Sequence, residues 1–86
     1  RTLADASTAF YRAVAADRRL AVAQSIFALN ERLLEAVRIQ LRAGEISALD
    51  ANLAEVEFGR SRARVLAERR AATGARLEVQ RLVGME

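Results

Sequence analysis

"LRAGEISALD", residues 41–50, is the one place where a long helical pattern stops and another begins. Glycine enters the left-handed region without a Cβ penalty, so Gly44 suits the position just past a helix end. Arg42, in the preceding turn, complements the helix dipole. Ser47 is a natural N-cap for the next helix. Asp50, three residues on, is placed to reach back as in a capping box, although glutamate or glutamine is the usual partner. Ile46 precedes the cap and is expected to pack on Ala51 as a weak staple. The linker is then Gly44 to Ser47, short enough to force the flanking helices antiparallel. These residues account for the turn by themselves. Only Glu45 and the exposed side of Ile46 are surplus to it.

Upstream, a helix is expected over residues 3–43, about 60 Å long at 1.5 Å per residue. Its strongest apolar stripe is Leu20, Ala23, Phe27, Asn30, Leu34, Val37 and Leu41, whose alternating spacing of three and four marks a coiled-coil seam. Ala6, Ala9, Ala13 and Ala16 continue it with small residues. Asn30 interrupts the seam and reads as a register-setting polar residue. A second stripe, Val22, Ile26, Leu29, Leu33 and Ala36, lies on roughly the opposite side at about 100° per residue. Asp17, Gln24, Glu31, Glu35, Arg38 and Arg42 fill one meridian between them.

Downstream, residues 48–83 repeat the arrangement. One stripe is Leu49, Leu53, Val56, Ala63, Leu66 and Leu77; the other is Ala51, Ala54, Phe58, Val65, Ala72, Val79 and Leu82. Polar residues separate them: Glu55, Arg62, Arg69 and Arg76 on one meridian, Glu57, Arg60, Arg64 and Glu78 on the other. Gly59 and Gly74 sit inside this helix at a cost of about 1 kcal/mol each against alanine; the expected gain is close backbone approach at helix crossings. The fold class is therefore all-α, a long antiparallel two-helix coiled-coil hairpin. A simple hairpin needs one apolar stripe per helix. Two stripes per helix call for neighbours on two sides, as in a wall, ring or barrel of helices. An ordinary antiparallel four-helix bundle is the alternative, though its helices usually carry one wide face.

Composition points the same way. Among 86 residues there is no proline, cysteine, histidine or tryptophan, and Ala, Leu, Arg and Glu predominate, a mix that favours long helices. A compact globule this small would need more large core residues or staples. All fourteen basic residues are arginine, interleaved with eleven acidic ones for a net charge of +3. That mixing reads as solvated faces with local ion pairs, not as the one-sided basic stripe with stacking aromatics that nucleic acid requires. Without histidine or cysteine, the common nucleophile–base pairs and soft-metal sites are excluded from this stretch, and no glycine-rich phosphate loop occurs. Glu31 and Glu35 are the one close acidic pair, which alone makes a poor metal site. No catalysis, cofactor or metal is expected. No apolar run approaches a membrane span, and no signal-peptide pattern opens the chain. The helical pattern is already under way at Arg1, the expectation for a piece of a longer protein.

The turn and the second helix, "LRAGEISALDANLAEVEFGRSRARVLAERRAATGARLEVQRLVG", resemble the outer-membrane efflux protein family, the TolC-like channels. Their repeat has a glycine, a serine or threonine three residues later and an aspartate three after that. An alanine-rich helix follows and ends in a leucine-rich segment closed by glycine. Here those are Gly44, Ser47 and Asp50, then Ala54, Phe58, Arg62, Ala75 and Leu82, then Gly84. "FYRAVAADRRLAVAQSIFALNERLLEAVRIQ" is similar to the family's incoming long helix, so the resemblance covers nearly the whole chain. Ser61 stands where alanine is more usual and Val79 where leucine is; neither change touches the turn.

The resemblance implies a homotrimer of the bacterial outer membrane whose long helices form a periplasmic tunnel. The hairpin would be one of two internal repeats, a fragment of the α-helical barrel with neighbours on both sides. Its tip, residues Gly44, Glu45, Ile46, Ser47, Leu49 and Asp50, would dock a periplasmic adaptor protein, and an inner-membrane pump would supply the energy. Such a fragment is expected to self-associate through its outward stripes. One alternative is the hairpin of the adaptor itself, whose tip carries Arg, three residues, Leu, six residues and Ser. Counting back from Ser47 puts Gln40 and Ala36 at the Leu and Arg positions, so the pattern fails. The other alternative is a free-standing coiled-coil scaffold, which would bury one seam and expose a charged outer face.

Overall fold

The computed structural model describes residues 3–84. Two helices account for nearly all of them: α1, Leu3–Arg42, and α2, Ala48–Gly84. The chain doubles back between them into an antiparallel pair measuring 63 × 14 × 13 Å. The helix ends lie within one residue of the boundaries read from the sequence. The long alanine- and arginine-rich runs carry no residue that competes strongly with the helical backbone, and proline is absent.

The seam follows the three–four spacing. On α1, Ala9, Ala13, Ala16, Ala23 and Leu34 are buried, with Ala6, Leu20, Phe27, Asn30 and Val37 half-buried between them. On α2 the buried residues are Ala51, Ser61, Val65, Ala72 and Leu82, with Ala54, Phe58, Glu68, Ala75 and Val79 half-buried. Spacing alone leaves either α2 stripe eligible; the one running from Ala51 to Leu82 is the seam. Two of its positions are Ser61 and Glu68, which an apolar-only reading passes over, and Ala75 continues it between Ala72 and Val79. The Ser61 hydroxyl donates to the Phe58 carbonyl at 2.8 Å, so its burial leaves no polar atom unsatisfied. Glu68 keeps its carboxylate at the edge of the seam, 3.8 Å from Arg19 Nε.

The seam is graded in size. Alanines dominate α1 between Ala6 and Ala16, where each contact contributes little. Near the middle, Phe27 meets Phe58 with ring centroids 5.1 Å apart, a pairing worth about 0.5–1.5 kcal/mol beyond its area. Leu34, 4% exposed, stabilises by about 1.5–3 kcal/mol through burial. Two interhelical ion pairs close one face: Arg38 Nη2 to Glu55 Oε1 and Arg76 Nη2 to Asp17 Oδ1, each 2.7 Å. Both are largely exposed, so each is worth less than about 1 kcal/mol and acts mainly on register.

Two expectations are corrected. Gly59 and Gly74 do not mark close approach between α1 and α2. A Cβ added at either meets nothing within 4 Å, because both residues point away from the seam. The second stripe of α1 is also not diametrically opposite its seam. Val22, Ile26, Leu29 and Leu33 each come one residue before a seam residue, an offset of about 100°. Val22 and Ile26 accordingly line a groove on one face of the pair. The outer stripe of α2 is truly at the back: Leu49, Val56, Ala63 and Leu77 each come two residues before a seam residue, about 200° away. Large residues of both outward stripes are exposed in the single chain, Val22 at 59% and Leu53 at 57% among them.

Candidate functional site

The turn satisfies its own backbone. The Gly44 amide donates to the Leu41 carbonyl at 3.0 Å and the Glu45 amide to the Gln40 carbonyl at 2.9 Å. With Gly44 at φ 75°, this is a Schellman closure of α1. On the other side, the Asp50 amide donates to Ser47 Oγ and the Ala51 amide to the Ser47 carbonyl, both at 3.2 Å. Ser47 is therefore the N-cap of α2. Ile46 is half-buried and Ala51 buried, as a staple across the first turn requires. The capping box is only half made. Among the described residues no bond returns from the Ser47 amide to the Asp50 carboxylate, since aspartate is one methylene shorter than the usual glutamate.

The six tip residues thus divide by role. Gly44 and Ser47 are occupied in making the turn, and Ile46 partly so. The side chains of Glu45, Leu49 and Asp50 are exposed at the end of the rod. Leu49, 67% exposed, begins an apolar line that runs up the outside of α2 through Leu53 and Val56. The tip consequently presents two carboxylates beside a leucine, an amphipathic surface on a backbone fixed by four hydrogen bonds.

Away from the turn, the two faces of the pair differ. One carries the Arg38–Glu55 and Asp17–Arg76 bridges, with Glu31, Glu35 and Arg42 nearby. The other is the groove. Its floor includes Val22, Ala23 and Ile26, and its walls carry Arg18, Arg19, Arg60 and Arg64 against Glu57 and Glu68. Arg60 also reaches Glu57 along α2 at 3.4 Å. Sequence reading places Arg60 and Arg64 on one meridian but does not join them to Val22 and Ile26. That union depends on which flank of α1 meets which flank of α2, fixed only once the seam is chosen.

No group of three or more metal-ligating side chains gathers among the described residues, and no helix there is long and apolar enough to cross a membrane. Comparison with models of protein families, with curated proteins and with solved structures finds no match.

Proposed function

We propose that the chain is a periplasmic tunnel-wall hairpin of a trimeric outer-membrane efflux channel, and that its tip docks a periplasmic adaptor protein in a tripartite export system. The observation that carries this reading is the exposure of a second apolar stripe on each helix. Val22, Ile26, Leu29 and Leu33 on α1, and Leu49, Leu53, Val56 and Leu77 on α2, are all about half exposed or more. Contiguous apolar lines of this length are rare on a free-standing monomer and mark surfaces that neighbours cover. A scaffold hairpin would have charged residues there. The Gly44–Ser47–Asp50 turn adds support, because its geometry leaves Glu45, Leu49 and Asp50 free for a partner.

In this role the hairpin performs no reaction. It holds its place in the wall through the outward stripes and offers the turn to the adaptor, while an inner-membrane pump drives transport. The isolated chain self-associates, because its stripes lack their neighbours. The docking role is tested by Gly44→Arg in a titration with the cognate adaptor. Added bulk at the apex weakens binding while helicity by circular dichroism stays nearly intact. Unchanged affinity removes the docking role. Light scattering that finds a stable monomer at high concentration counts against the wall.

A further inference from the structure

We infer that the groove face of the pair is the concave, interior side of the wall proposed above, so that Arg19, Glu57, Arg60 and Arg64 line its channel. The inference rests on that reading and adds a direction to it. A helix in a closed ring touches two neighbours. The angle between its two contact lines, seen down the axis, is below 180° on the side facing the interior. In α1 that angle is about 100°, one residue of rotation between Val22 and Ala23, Ile26 and Phe27, or Leu33 and Leu34.

The sense of that rotation follows from the groove itself: Val22 and Ile26 lie in it with Glu57, Arg60 and Arg64. In α2 the corresponding angle is about 200°, which turns the wall little either way. Averaged over the pair, the interior angle is about 150°, and a ring with that angle closes at about twelve helices. The bend is thus toward the groove. The face with the Arg38–Glu55 and Asp17–Arg76 bridges is turned outward. Four arginines against two glutamates make the groove side basic, so this part of the channel favours anions.

The test uses the intact channel protein in planar bilayers, with single cysteines placed by substitution in a cysteine-free background. Arg64→Cys and Arg62→Cys are a matched pair. Arg64 precedes the seam residue Val65 by one position and Arg62 follows the seam residue Ser61 by one, so they leave on opposite faces. Both are exposed in the hairpin. An anionic thiol reagent added to open channels is expected to lower the single-channel conductance of Arg64→Cys and to leave Arg62→Cys unchanged. Arg64→Glu is expected to shift the reversal potential toward cation selectivity. Block of Arg62→Cys with Arg64→Cys untouched overturns the facing while leaving the wall intact. Failure of the unsubstituted protein to form channels overturns the wall and the facing with it.

Discussion

Three glycines in this chain should respond to the same substitution with opposite signs. Gly44 has φ 75°, and a Cβ there meets nothing within 4 Å, so Gly44→Ala carries conformational strain alone. Holding alanine in the left-handed region costs about 1–2 kcal/mol. Reduced freedom of the unfolded chain returns about 0.4–1 kcal/mol, leaving a net loss near 1 kcal/mol. Gly59 and Gly74 also have open space where a methyl group would project, but they sit in the body of α2 with helical neighbours. Alanine at either should stabilise by about 0.8–1 kcal/mol. The two lie about 22 Å apart along the helix, so the double variant should gain close to 2 kcal/mol. Each kilocalorie should move the melting temperature by about 4–8 °C in a chain of this size. Urea and thermal unfolding followed by circular dichroism measure all of these variants against the unsubstituted chain. Protein concentration is held fixed, since association raises apparent stability. A neutral or stabilising Gly44→Ala would refute the left-handed cap. A destabilising Gly59→Ala or Gly74→Ala would mean that another backbone approaches α2 there.

The remaining expectations concern the cap, the seam and the ion pairs. Ser47→Ala removes the acceptor for the Asp50 amide and should cost about 1 kcal/mol in denaturant unfolding, whereas Ser47→Asp should retain most of the stability. Leu34→Ala should cost about 2–5 kcal/mol, since Leu34 is among the few large side chains buried in the seam, and Leu33→Ala on the exposed stripe should cost far less in the monomer. A double-mutant cycle on Arg38 and Glu55 should give a coupling below about 1 kcal/mol that fades as salt rises; a larger, salt-independent coupling would mean the pair is buried by something outside this chain.

The helical hairpin is legible in the sequence because its signals are local. The three–four spacing from Leu20 to Val37 names its own seam, though the expected stripe runs on to Leu41, which is exposed beside the turn, and Gly44 with Ser47 specifies where the chain turns and how. The α2 seam is harder to read. Two stripes of similar strength run along that helix, and the true one is interrupted by Ser61 and Glu68. Serine can be buried there because its hydroxyl is satisfied within its own helix turn, which no apolar pattern reveals. Gly59 and Gly74 mislead because glycine inside a helix usually signals contact, yet contact depends on azimuth as well as identity. Each falls off the seam once the register is set. At the tip, residue types suggest where binding surface lies, but not that the Asp50 carboxylate is spared by a half-made capping box. The groove needs both helices at once, so it belongs to the pairing and not to either segment read alone.

The slenderness of the pair has a mechanical consequence. A bar 63 Å long and barely 14 Å across converts small rotations at one end into large displacements at the other. Pivoting the open end by about five degrees sweeps the turn sideways by about 5 Å, one helical pitch. With the apex locked by its own hydrogen bonds, such a swing would carry Glu45, Leu49 and Asp50 together as a rigid pointer.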